Sequence, residues 1–113
     1  MKPIVYISGK IAGDDNFKSK FEAEEKRLVR LGYNVLNPCL VSNLEFLSYE
    51  QYMHIDFALI DLADIVILLP DWQDSKGATR ERLYALAHGK KVMLPGFIDE
   101  AEKDLTETFN RNA

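Results

Sequence analysis

The sequence predicts an α/β protein with three layers, in which helices cover both faces of a flavodoxin-like or Rossmann-like parallel sheet. Short apolar runs alternate with longer segments whose apolar residues recur at helical spacing, which gives the order βαβαβαβα. Residues 64–70 form an apolar run without alternation, and this is typical of a central parallel strand covered on both sides. The expected strand order is 2-1-3-4, which places strands one and three side by side.

The first half of the chain contains two of these units. Strand one covers residues 4–8 and ends at Gly9, and strand two covers residues 33–37 and stops before Pro38. Between them we expect a helix that ends at Gly32. Its buried face carries apolar side chains at helical spacing, namely Phe17, Phe21, Leu28 and Leu31.

The second half begins with a loop over residues 39–47, and then a Ser48–Gln51 capping box opens a helix that runs to about Ala63. Strand three covers residues 64–69. The helix that follows has Ser75 as its N-cap and Gly89 as its C-cap. The last two predicted elements are a strand over 91–95 and a polar helix from Ile98 to about Arg111.

Composition and length limit the classes of protein. The 113 residues are enough for a single domain over 1–113, and 47% hydrophobic with 28% charged residues is ordinary for a soluble globular chain. A net charge of -4 argues against a nucleic acid or an anionic membrane as the main partner. The single cysteine, Cys39, excludes an intrachain disulfide, so the cytoplasm is the expected location. No apolar run reaches transmembrane length.

The predicted topology brings two loops together at the carboxyl ends of strands one and three. These loops are residues 8–13 and 70–77, and a crevice between them is where such a sheet binds its ligand. Glu81 lies one turn inside the helix that follows, on the same face as Gly77 and Ala85. Small neighbours leave space above this carboxylate, which an ordinary surface glutamate does not need.

Several common motifs are missing. Gly9-Lys10 lacks the rest of a phosphate-binding P-loop, and there is no GxGxxG fingerprint for a dinucleotide. His54 and His88 show no metal-ligand spacing with Cys39, so we expect neither a metal nor a cofactor.

A carboxylate inside an apolar helix is the remaining chemical signal. Asp56 lies among apolar residues of the second helix, and a charge there needs either a structural ion pair or a task. Two aromatic residues have alternative interpretations. Tyr6 is a core residue by default, and Trp72 is either a lid over a ligand or a dimer contact.

Three segments together carry a resemblance to a known family. They are Tyr6-Ile-Ser-Gly-Lys-Ile-Ala-Gly13, then Asp56 followed by Ala63-Asp-Ile-Val66, then Ser75-Lys-Gly-Ala-Thr-Arg-Glu81 with Tyr84-Ala85 and Gly89-Lys90. In this order and spacing, over roughly residues 4–95, the chain resembles the nucleoside 2-deoxyribosyltransferase superfamily. That superfamily includes the 2'-deoxynucleoside 5'-phosphate N-hydrolases, and its fold is the flavodoxin-like one predicted above.

The resemblance implies roles for individual residues. The nucleophilic glutamate of the family corresponds to Glu81, its aspartate to Asp56 and its strand-one tyrosine to Tyr6. Substrate contacts are then expected along the two loops, from Ser8, Gly9, Lys10, Gly13, Trp72, Ser75 and Gly77. Family members often complete their sites with a residue from a partner subunit, so a homodimer or higher homo-oligomer is expected.

The implied activity is cleavage or transfer of the N-glycosidic bond of a 2'-deoxynucleoside or its 5'-monophosphate. Ser75 at a helix N-terminus favours the phosphorylated form, because its hydroxyl and the free backbone N–H groups suit a phosphate. Two alternatives stay open. One is a nucleotide-binding or sensing module without turnover, and the other is a phosphoribohydrolase-like Rossmannoid enzyme.

Overall fold

The computed structural model describes residues 2–98, and these contain a sheet of four parallel strands. Strand β1 is Ile4–Ser8, β2 is Asn34–Leu36, β3 is Ile65–Leu68 and β4 is Lys91–Met93. Their order across the sheet is β2-β1-β3-β4, so the predicted order 2-1-3-4 is confirmed. In β1 and β3, Tyr6 is opposite Val66 and Ser8 is opposite Leu68.

Three helices connect the strands. Helix α1 is Phe17–Arg30, α2 is Tyr49–Leu62 and α3 is Lys76–Ala87. The segment predicted as a loop contains a 3-10 turn at Pro38–Val41. The predicted final helix lies outside the described residues except for Ile98. No helix within residues 2–98 combines the length and the apolar character that a membrane span requires.

Alternation along β1 divides the core into two layers. Val5 and Ile7 point to the side of α1 and pack with Phe21 and Leu28. Tyr6 points to the opposite side and packs in a second cluster that includes Ile60 of α2 and Ala85 of α3. The sheet is therefore covered on both faces, as its apolar central strands predict.

The ends of the helices follow the expected chemistry with one exception. Ser48 and Gln51 form both hydrogen bonds of a capping box, and the Ser75 hydroxyl accepts from the Ala78 N–H at 3.0 Å. Gly32 and Gly89 follow their helices at φ values of 96° and 72°, which side chains disfavour. Asn16 is the N-cap of α1, but its side chain makes no capping hydrogen bond.

The first loop leaves β1 in tight contact with the strand beside it. The Leu69 N–H donates to the Ser8 carbonyl at 2.8 Å, which continues the β1–β3 pairing beyond the end of β3. A Cβ on Gly9 would lie 2.8 Å from Leu69 Cδ1 and 3.0 Å from its Cβ. Only glycine therefore lets the chain turn off the sheet at this point.

Replacing Gly9 with alanine should destabilise the fold, because the new methyl group overlaps the side chain of Leu69. Overpacking of this kind costs about 1–3 kcal/mol in the free energy of unfolding, which urea denaturation measures. Gly96→Ala is the matched control, since a Cβ there meets no atom within 4 Å. Equal stability of the two variants would show that Gly9 has room for a side chain.

Candidate active site

A cavity of about 510 Å³ opens at the carboxyl ends of β1 and β3, where the topology predicts a crevice. Its floor contains the two carboxyl groups of Asp56 and Glu81, which come from α2 and α3. The predicted site residues Gly9, Ser75 and Gly77 also line it. The wall is mainly apolar and aromatic, and its remaining members are Ile11, Ala12, Phe17, Pro38, Ser42, Leu47, Tyr49, Tyr52, Met53 and Ala78.

Two contacts hold the two loops that border the cavity. The Lys10 N–H donates to the Asp71 carboxylate at 3.1 Å, across the gap between the loops. The ammonium group of Lys20 on α1 bridges the carboxylates of Asp14 and Asp71, and it also donates to the Lys10 carbonyl at 3.3 Å. Because Lys20 contacts both loops, it fixes their separation at the mouth.

Glu81 is almost fully buried, with 5% of its surface exposed. The Ser8 hydroxyl donates a hydrogen bond of 2.7 Å to its Oε1. Tyr6 and Ser8 are two residues apart on β1, so both hydroxyls point to the face on which α3 packs. The Tyr6 hydroxyl is buried near Glu81, but it has no partner at hydrogen-bond geometry among the described residues.

The electrostatics of Glu81 and Asp56 are linked. Burial, and then the neighbouring charge of Asp56, raise the pKa of Glu81 well above its ordinary value, while Ser8 and Tyr6 oppose this rise. Burial also raises the pKa of Asp56 to about 6, and its contact with Glu81 acts in the opposite direction. Two carboxyls in such contact do not ionise independently, and both keep their protons to higher pH than free carboxyls do.

Five predicted site residues are not part of the cavity wall. Tyr6 and Ser8 lie beneath it beside Glu81, whereas Lys10, Gly13 and Trp72 lie elsewhere. The Lys10 side chain is half-buried, and Gly13 lies at an exposed turn with φ of 80°. Trp72 packs against the core layer that contains Tyr6, and the Arg82 guanidinium lies 5.2 Å from the centre of its ring.

Sequence reasoning missed the aromatic wall and the lysine bridge. Tyr49, Met53 and Asp56 are spaced four and three residues apart, which places them on one face of α2. This spacing could have extended the site from Asp56 toward the capping box. No comparable signal marks Lys20, because its two carboxylate partners are six and 51 residues away in the chain.

Comparisons with known proteins identify the family and the fold of the chain. Residues 3–94 match the model of a family described as a domain of unknown function, DUF4406. The chain belongs to the DUF4406 family. The observed strand order is the one that the predicted resemblance to the nucleoside 2-deoxyribosyltransferase superfamily implies.

A solved structure shows the same fold. The CMP N-glycosidase BcmB of Clostridium botulinum matches with a TM-score of 0.53 at 24% sequence identity, and the match covers 80% of this chain and 69% of that one. A search among curated proteins gives no match. At this identity the likeness to BcmB establishes the fold of the DUF4406 chain and nothing beyond it.

The raised pKa values predict how stability depends on pH. The unfolded chain loses these protons near pH 4, whereas the folded chain keeps them to higher pH. The folded state thus binds more protons above pH 4, and its free energy of unfolding falls as pH rises from about 4 through 6 and beyond.

Asp56→Asn should remove much of this fall in the free energy of unfolding. The part removed is on the order of 2 kcal/mol between pH 4.5 and pH 8. Urea denaturation at a series of pH values measures it. Asp15→Asn, which removes an exposed carboxylate, is the matched control and should follow the wild type. The buried pair would be refuted as the cause if both variants showed the wild-type slope.

Proposed function

We propose that this protein cleaves the N-glycosidic bond of a 2'-deoxynucleoside or of its 5'-monophosphate. The observation that carries the proposal is the buried Asp56–Glu81 pair at the floor of an open cavity. Two carboxyls in contact destabilise the fold, and a protein that only binds a ligand has no need of them. The name of the structurally similar BcmB, a CMP N-glycosidase, supports the same class of bond.

The pair can supply both groups that the reaction requires. Glu81 and Asp56 hold one proton between them. When that proton is on Asp56, the Glu81 carboxylate is free to attack the anomeric carbon. As the bond from this carbon to the base breaks, Asp56 donates the proton to the departing nitrogen. A glycosyl ester on Glu81 and a neutral base result.

The second step restores the enzyme. The Asp56 carboxylate takes a proton from water, and the hydroxide displaces Glu81 from the anomeric carbon. The sugar leaves with a new hydroxyl, and the pair again holds one proton. If a second base replaces water as the acceptor, the same steps give a transferase.

Part of the cavity wall suits a nucleobase. Tyr52 and Met53 contribute an aromatic ring and a polarizable thioether, and such groups pack well against flat heterocycles. The volume of about 510 Å³ is within the usual range for a small-molecule site.

The start of α3 offers a place for a 5'-phosphate. A Cβ on Gly77 would lie 3.6 Å from Met53 Sδ and 3.9 Å from both the Ser75 and the Tyr49 hydroxyls, so two hydroxyls converge beside the backbone of Gly77. Two cations are close, since Lys76 Nζ lies 5.3 Å and the Arg80 guanidinium 5.5 Å from the centre of the Tyr49 ring. The positive end of the helix dipole adds to their effect.

Glu81→Gln should reduce the release of base by several orders of magnitude, because an amide cannot form the glycosyl ester. The assay is a panel of deoxynucleosides and their monophosphates, with released base measured by chromatography. Glu22→Gln, an exposed change on α1, is the matched control and should keep full activity.

The same panel separates an enzyme from a binding module. A wild type that binds nucleotides but releases no base from any of them would favour the non-catalytic alternative. Near wild-type turnover by Glu81→Gln would instead show that another residue is the nucleophile.

Ser75 should determine whether a nucleotide or its nucleoside is the preferred substrate. We expect kcat/KM to be higher for a deoxynucleoside 5'-monophosphate than for its nucleoside, and Ser75→Asp to cancel or reverse this preference. An aspartate there still caps the helix, but it repels a phosphate. Ser75→Thr keeps the hydroxyl and should behave like the wild type. A nucleotide preference that survives in Ser75→Asp would show that Ser75 is only a helix cap.

A further inference from the structure

The Ser8 side chain is fully buried, with 0% of its surface exposed, and it is not part of the cavity wall. A bound substrate therefore has no direct path to its hydroxyl. The hydroxyl instead donates to Oε1 of Glu81 at 2.7 Å. The sequence predicts that Ser8 contacts the substrate, whereas the structure places its hydroxyl against Glu81.

The backbone around Ser8 is held on both sides. Ser8 is the last residue of β1 and is paired with Leu68 in the register of β3. Its carbonyl accepts from the Leu69 N–H at 2.8 Å. A donor fixed in this way sets the position of the oxygen that it binds, because the strand cannot turn without breaking the sheet.

We infer that Ser8 is a positioning residue, which holds Oε1 of Glu81 and thereby directs Oε2 toward the anomeric carbon. This inference rests on the proposed function. A carboxylate with one oxygen fixed has only one oxygen left for attack. Ser8 also stabilises the ionised form of Glu81, which is the form that attacks.

Among the groups around Glu81, Ser8 is the main one that stabilises its ionised form. Asp56 on α2 carries a like charge and opposes ionisation, and the Tyr6 hydroxyl on β1 helps ionisation without hydrogen-bond geometry. Cys39, in the 3-10 turn, has its pKa raised to about 11 by burial, so it stays neutral at working pH. Ser8 makes the short, well-formed bond to Glu81.

Ser8→Ala tests the inference through two properties of the reaction. We expect kcat to fall about tenfold, which corresponds to one buried hydrogen bond, while KM changes little because Ser8 lies outside the cavity wall. The acid limb of the kcat/KM profile should move up by about one pH unit, because Glu81 loses a donor that favours its charged form.

Two further variants separate positioning from general damage to the strand. Ser8→Cys keeps a weak donor of similar size, so its kcat and its acid limb should lie between those of Ser8→Ala and the wild type. Ile7→Val makes a small deletion in the same strand on the opposite face, and it should keep the wild-type pH profile.

A measurement without substrate separates this inference from the proposed function. The carboxyl ¹³C resonance of Glu81, assigned by its absence in Glu81→Gln, should titrate at higher pH in Ser8→Ala than in the wild type. If base is released but this titration and the pH profile are unchanged, the role of Ser8 is wrong. If no base is released although the titration shifts, the proposed function is wrong and the Ser8–Glu81 contact stands.

Discussion

The contact between the Asp56 and Glu81 carboxyls is the constraint on which the site depends. Each carboxyl is buried, which raises its pKa, and the charge of Asp56 further disfavours ionisation of Glu81. In a core without function such a pair would be replaced by apolar side chains, since these pack at no electrostatic cost. The fold keeps this pair beneath a cavity instead of filling the space above it. Two carboxyls that can share a proton are what the proposed reaction requires.

The topology of the sheet explains how these groups meet. Strands β1 and β3 are neighbours, and their helices α1 and α3 leave on opposite faces. The loops therefore separate at the edge and leave a crevice, which α2 and α3 border from one side. Because successive side chains of β1 point to opposite faces of the sheet, Tyr6 and Ser8 lie under α3, while Val5 and Ile7 pack against α1. One strand thus supplies both the core and the donors near Glu81.

Sequence reasoning could predict the fold in detail because strand and helix periods are local signals. The strand order also follows, since a buried apolar β3 needs neighbours on both sides. Asp56 and Glu81 could each be singled out from the sequence, Asp56 by its apolar surroundings and Glu81 by the small residues beside it. The direct contact between them could not, because it depends on how α2 packs against α3. The predicted homo-oligomer stays a prediction.

The donors around Glu81 are hydroxyls, and this choice has a chemical consequence. A lysine or arginine beside Glu81 would lower its pKa strongly and keep it ionised and paired at every stage. A hydroxyl from Ser8 stabilises the charge less, so in the proposed reaction the proton can return to the pair after each turnover. The cations near the site, Lys76 and Arg80, lie beside Tyr49 at the start of α3. In the proposed function, Glu81 and its neutral donors are therefore separate from the cations that would attract a phosphate.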